Sequence, residues 1–173
     1  GVSRVRSLEI LLNIGEVSIS DDEKAKIMQD KNEHYLQFIT KMGQDEILEG
    51  MHDVLLYLKE KNIPFSLGSA SKNARLILKQ LELIDLFDAI VDGNDVSKAK
   101  PDPEVFLIAA QKLNMAPENC IVIEDAIAGV EAANIARMIS IGIGDKNTLN
   151  EADYNLSSTS ELTIEMIKEL IKN

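Results

Sequence analysis

The chain has 173 residues, 45% of them hydrophobic, enough for one good core or a core domain with a smaller appendage, and too apolar for disorder. Its net charge of −11 argues against nucleic acid or an anionic membrane as the main partner, so a phosphorylated substrate would need locally concentrated positive charge. The single cysteine, Cys120, excludes an internal disulfide framework and suits a reducing cytoplasm, and no apolar run approaches membrane-spanning length.

Residues 1–42 read as wholly helical. Ser7 to Leu12 forms a first helix, and a long second one starts at Ser20, where Ser20-Asp21-Asp22-Glu23 has the Ser-x-x-Glu spacing of a capping box. Ile27, Tyr35, Phe38, Ile39 and Met42 give that helix an intermittent apolar face. From about Ile47 the pattern changes to alternating helix and strand. An amphipathic helix (Met51, Val54, Leu55, Leu58) leads to a strand over Ile63–Gly68, a helix over Ala74–Leu81 and a short strand at Ala89–Val91. Asp102 before Pro103 predicts an N-cap with proline at the first helical position, opening a helix to about Leu113.

Cys120 precedes the apolar run Ile121-Val122-Ile123, which predicts a strand buried on both faces, and its thiol reads as structural. A small-residue helix, a strand over Met138–Ile143 and a closing helix (Leu162, Met166, Ile167, Leu170) end the series. Strands alternating with helices predict an α/β fold with a parallel sheet covered on both faces.

Three features fall at strand ends or in the loops after them. Glu124-Asp125 closes the Ile121 strand, at the carboxyl end where open α/β sheets place their ligands. Adjacent carboxylates repel, and Mg²⁺, which prefers carboxylate oxygens and keeps several waters, makes sense of the pair. Ser69-Ala70-Ser71-Lys72-Asn73 follows the Ile63 strand and offers a hydroxyl with backbone N–H groups as an anion cradle, although Ser and Asn are equally ordinary turn and capping residues. In Lys100-Pro101-Asp102-Pro103 the prolines stiffen the backbone around one lysine, a pattern that also fits an exposed lysine beside a helix start.

The order of these features resembles the haloacid dehalogenase-like phosphotransferase superfamily, with Ser69, Lys100 and Glu124/Asp125 matching its second, third and fourth motifs. Gly1-Val2-Ser3-Arg4 and Gly68-Ser69-Ala70-Ser71-Lys72-Asn73 look like its β-phosphoglucomutase branch. The resemblance implies a Rossmann-like parallel core at 43–173 and the C-terminal part of a helical cap at 1–42. It also implies covalent catalysis through an aspartyl phosphate. Ser69 would hold one phosphoryl oxygen. Lys100 would neutralise another and pair with the nucleophile. Asp125 would bind Mg²⁺, with Glu124 helping directly or through water. Arg4, Ser71, Lys72 and Asn73 would grip the substrate's second phosphate, which a mutase needs in order to rebind a bisphosphorylated intermediate turned end for end. Lys31 matches a family position near the sugar and reads equally well as a solvated helix lysine.

Two departures stand out. Ala126 replaces the serine that many relatives carry after the acidic pair. More severely, the family begins with a strand ending in Asp-x-Asp, the nucleophile and the general acid/base, and these residues contain no such segment. Asp92 and Asp95 follow the Ala89 strand at the wrong point in the order, and Asp53 begins a helix. His34 and His52 are lone histidines on helices, where surface placement is the default. The implied first strand lies between the strands ending at Ser69 and Glu124, so without it a strand-wide gap is expected between 63–68 and 121–124. The parent chain is then expected to extend N-terminally and the 173 residues alone to be inactive. The expected activity is Mg²⁺-dependent interconversion of β-glucose 1-phosphate and glucose 6-phosphate by a monomeric cytoplasmic enzyme. Its alternatives are a sugar-phosphate phosphatase and a non-catalytic domain that truly lacks the strand.

Overall fold

The computed structural model describes residues 4–171. Two helices come first, α1 (Arg4–Ile14) and α2 (Asp21–Ile39). The capping box at Ser20 forms as the sequence predicts, with the Glu23 N–H donating to Ser20 Oγ and the Glu23 carboxylate accepting from the Ser20 N–H at 2.8 Å. The α/β portion follows: α3 (Met51–Glu60), β1 (Ser66–Gly68), α4 (Ala74–Gln80), β2 (Ala89–Val91), α5 (Glu104–Lys112), β3 (Ile121–Glu124), α6 (Ile127–Ile135), β4 (Ile139–Ile143), β5 (Tyr154–Leu156) and α7 (Ile164–Ile171).

Every ladder is parallel, in two separate sheets: β1 beside β2, and β3–β4–β5. Helices pack on both sides, as parallel sheets require. Val105, Phe106, Ala109 and Ala110 of α5 and Ala132 and Ala133 of α6 bury against Val91 and Val122. On the opposite face Val54 of α3 and Ile167 of α7 enclose Ile141 of β4, together with Leu162. A third cluster (Leu55, Phe65, Leu78, Leu81, Leu83) seats α4 against α3.

Several expectations need correction. The strand predicted from Ile63 begins at Ser66, because Pro64 has no N–H for a ladder and Phe65 bonds to Asp88 through that residue's side chain as well as its backbone. Strand β3 is not buried on both faces: Ile123 is 39% exposed, and among the described residues β3 has a strand partner on one side only. Asp102 is one residue early as the N-cap; Pro103 takes that position, while the Asp102 carboxylate still accepts from the Glu104 N–H at 3.0 Å. Strand β5 was not expected, and its three residues, with Tyr154 exposed, carry no apolar run to betray it.

Five helices are followed by a left-handed residue that is not glycine. Glu16, Asn62, Glu82, Asn114 and Arg137 take left-handed φ of 51° to 60° just past α1, α3, α4, α5 and α6. Each is followed by an N–H that bonds five residues back, as from Ile63 to the Leu58 carbonyl and from Met138 to that of Ala133.

Candidate active site

The carboxyl ends of β1 and β3 belong to different sheets, and one side chain joins them. Lys100 is 6% exposed; its ammonium donates to the Gly68 carbonyl at 3.2 Å and forms an ion pair with the Glu124 carboxylate. The same ammonium lies 4.5 Å from the centre of the Phe106 ring, on the helix behind. Burial of a lysine is costly unless it is paired and hydrogen-bonded, and both conditions are met here.

The loop that carries Lys100 is held from one side. Glu104, in the first turn of α5, accepts from the backbone N–H groups of Ser97 and Lys98 at 2.9 and 2.6 Å and from the Ser97 hydroxyl. These bonds, the Lys98 N–H foremost, hold the Glu104 carboxyl below the usual glutamate range.

On the β3 side, Glu124 Oε2 accepts from the Asp125 and Ala126 N–H groups at 3.2 and 3.3 Å. The carboxylate is thus bonded through both oxygens and sits against Gly129 of α6. A Cβ at Gly129 would overlap it, so the close approach requires glycine there. Asp125 differs from its neighbour: it is exposed, and its carboxylate makes no ion pair with any described residue. Among the described residues no group of three His, Cys, Asp or Glu side chains could hold a metal ion by itself.

After β1, the Ser69 N–H donates to the Val91 carbonyl at 2.9 Å and its hydroxyl accepts from the Ser71 N–H at 3.1 Å. The Ser71 hydroxyl in turn accepts from the Asn73 N–H at 3.2 Å. Two successive serine turns thus shape the loop into α4. The Asn73 side-chain amide donates to Asn32 Oδ1 at 3.1 Å, and Arg4 donates to the same oxygen at 2.6 Å. Arg4 of α1, Asn32 of α2 and Asn73 of the core loop therefore meet at one atom. Lys31 and Lys72 are exposed, with no ion pair among the described residues.

The structure gathers the predicted residues in two places. Lys100 brings Glu124 together with the end of β1 at Gly68, the residue before Ser69, and Asn73 reaches Arg4 through Asn32. Gly1-Val2-Ser3 of the first motif lies outside the described residues. Among the described residues Lys100 pairs with Glu124. Asn32 was missed by sequence reasoning; only its place beside Lys31 in Asp30-Lys31-Asn32 pointed toward it. Gly129 was missed because a glycine in a small-residue helix gives no sign of what approaches it. Cys120, predicted buried, is half-buried; burial, then the nearby Glu118, pushes its thiol pKa up, which makes it a poor nucleophile.

A family model for haloacid dehalogenase-like hydrolases matches residues 4–137. The β-phosphoglucomutase of Bacillus subtilis is 41% identical over 171 residues, covering 98% of this chain and 76% of that protein. The crystal structure of a β-phosphoglucomutase from Clostridium difficile superposes with a TM-score of 0.92 at 40% identity, over 99% of this chain and 78% of that one. A phosphorylated carbohydrates phosphatase of Thermotoga maritima is 28% identical over 99% of this chain and 80% of its own length.

Proposed function

The chain belongs to the haloacid dehalogenase-like hydrolase family, and we propose that within it the protein interconverts β-glucose 1-phosphate and glucose 6-phosphate as a Mg²⁺-dependent phosphomutase. One observation carries the phosphoryl-transfer chemistry: a buried ammonium, Lys100, at the carboxyl ends of two parallel sheets, within reach of both strand ends. A transferring phosphoryl group spreads negative charge over its equatorial oxygens, and a pre-placed cation in a dry site stabilises that charge without reorganising.

On this reading the Ser69 hydroxyl and Lys100 ammonium hold the phosphoryl oxygens, and Glu124 pairs with the ammonium and aims it. The aspartate nucleophile would be carried by a strand that pairs with the open edges of β1 and β3. Those edges share no ladder with each other, which fits a place for one strand between them.

The donor set fits magnesium. Asp125 offers an exposed carboxylate beside the buried centre, and magnesium characteristically takes one or two carboxylates, substrate phosphate and waters rather than a full protein cage. Asp125 would hold the ion directly and Glu124, already bonded through both oxygens, through water. The ion supplies further charge neutralisation at the transferring phosphate.

The second phosphate distinguishes a mutase from a phosphatase. Arg4, Ser71, Lys72 and Asn73 would hold it, with Asn32 Oδ1 keeping Arg4 and Asn73 side by side. Closure of the helical region over the site would exclude water and protect the acyl phosphate from hydrolysis.

The test is an assay of full-length protein with β-glucose 1-phosphate and Mg²⁺, following glucose 6-phosphate and inorganic phosphate together. Isomerisation well ahead of phosphate release is expected. Rapid release without isomerisation would replace the mutase by a sugar-phosphate phosphatase, the reading that the Thermotoga relative favours. An intact mass for the natural protein matching 173 residues would favour a non-catalytic domain.

A further inference from the structure

The loop expected to grip the second phosphate is held from behind by a second loop that no part of the mechanism uses. Asp92, directly after β2, is 1% exposed. Its Oδ1 accepts from the backbone and side-chain N–H groups of Asn94 at 2.8 and 3.0 Å, and its Oδ2 lies 3.0 Å from Arg75 Nε. Asp95 Oδ2 accepts from the Asp92 N–H at 2.9 Å and from an Arg75 terminal nitrogen at 3.0 Å. The same arginine nitrogen donates to the Ile90 carbonyl at 3.0 Å. One guanidinium, two carboxylates and a β2 carbonyl thus fix residues 92–95 as a unit. The Asp92 N–H, before the Arg75 guanidinium, holds the Asp95 carboxyl below the usual aspartate range.

This unit grips the neighbouring loop along its backbone. The Gly93 N–H donates to the Ser71 carbonyl and the Asn94 side-chain amide to the Lys72 carbonyl, each at 3.2 Å. The contact is tight enough to exclude a methyl group. A Cβ on Gly93 would overlap the Ala70 carbonyl oxygen and stand 3.1 Å from Lys72 N and Cγ. Both of its nearest neighbours are in the loop, and a backbone carbonyl cannot rotate aside as a side chain can.

A buried ion pair is poor evidence for stability, because an apolar replacement often stabilises as well; its best-attested use is to specify one arrangement. We propose that Asp92–Asp95, locked by Arg75, form a brace that sets the geometry of Ser71-Lys72-Asn73 for the substrate's second phosphate. Gly93, Asn94 and Arg75 are then positioning residues for that phosphate. Arg75, exposed enough to be mistaken for a phosphate ligand, has its Nε and one terminal nitrogen turned to aspartates and acts on the loop rather than on substrate. Ordering a flexible loop on binding costs affinity, and a brace meets that cost before the ligand arrives. The inference rests on the sugar-phosphate reading above.

The experiment compares full-length wild type with Gly93→Ala and Asn94→Ala. Calorimetry measures affinity for glucose 1,6-bisphosphate, and turnover of acetyl phosphate, which carries one phosphate and no sugar, reports on the Lys100 centre. Gly93→Ala is expected to weaken bisphosphate binding by about tenfold or more through displacement of the loop. Asn94→Ala, which loses one bond to the loop, is expected to weaken it by about threefold. Acetyl phosphate turnover should stay close to wild type in both, and Asn94→Ser should recover none of the loss, having no donor that reaches Lys72.

Unchanged bisphosphate affinity in both variants would overturn the brace. So would a parallel fall in acetyl phosphate turnover, which would mean general loosening, or a wild type that does not bind the bisphosphate at all. A wild type that binds the bisphosphate without isomerising β-glucose 1-phosphate would sink the mutase reading alone, and the affinity ratios would still decide the brace.

Discussion

The two charged centres of the molecule are built differently. The Lys100–Glu124 centre lies wholly within the α/β portion, buried and charge-paired, with Gly129 and Phe106 packed against it. The Arg4–Asn32–Asn73 centre spans three elements far apart in sequence, is partly exposed and is joined by hydrogen bonds to a neutral amide. A buried pair couples catalysis to stability, because removing one partner strands the other in a dry site. A centre assembled from separate pieces couples binding to closure and contributes little to stability.

Lys100→Ala should break that contrast most sharply if it is wrong. It leaves the Glu124 carboxylate, 9% exposed, without its cation, and uncompensated buried charges of this kind cost about 3–5 kcal/mol. Urea unfolding should show that loss, and phosphoryl transfer should fall below detection. A double variant, Lys100→Met with Glu124→Gln, should recover much of the stability and none of the turnover. Additive losses in that cycle would show that the pair is not coupled.

Asp125→Asn tests the other half of the buried centre. Asp125 is exposed and has no ion pair among the described residues, so unfolding should shift by less than about 0.5 kcal/mol. Turnover should instead collapse and cease to respond to added Mg²⁺. A variant that keeps its Mg²⁺ response would move the metal site elsewhere.

The two centres were also unequally legible in the sequence. Glu124-Asp125 stood out because two acids ended an apolar strand, and Lys100 because prolines flanked it. What the sequence did not show was that these residues bond to each other; the pairing depends on how two sheets that share no ladder come together. Arg4 and Asn73 were found through resemblance, whereas Asn32, which joins them, is a common helix-surface residue with no periodicity of its own. The helix stops were equally silent, because left-handed caps occupied by Glu, Asn and Arg lack the glycine that usually announces them. Strand β5 escaped because its three residues gain their place by pairing with β4, a non-local property.

Asn32→Ala sharpens the comparison from the side of the spanning centre. It removes the shared acceptor of Arg4 and Asn73 without leaving a buried charge, so stability should change by about 1 kcal/mol at most. KM for β-glucose 1-phosphate should rise about threefold to tenfold, since the two side chains proposed to hold phosphate lose their common anchor. Acetyl phosphate turnover should hold. A larger loss of stability than of affinity would make Asn32 a packing residue and remove the distinction between the centres.

The smallest expected effect concerns acid, and it returns to the buried centre through the loop that presents Lys100. Glu104 accepts from Ser97 and Lys98, and these bonds hold its carboxyl below the usual glutamate range in the folded protein. A depressed folded value means that the stabilising contribution is complete above the unfolded glutamate value. It is lost as pH falls through that value toward the lower folded one. Wild type should therefore lose thermal stability more steeply than Glu104→Gln between about pH 5 and pH 3, while at neutral pH the variant should be modestly the less stable. Glu104 is only half-buried and its bonds lie at the surface, so the difference should be small and should shrink in high salt. If the two melting curves stay parallel across that range, the Glu104 bonds do not hold the Lys100 loop. The buried centre would then owe its geometry to the Lys100–Glu124 pair alone.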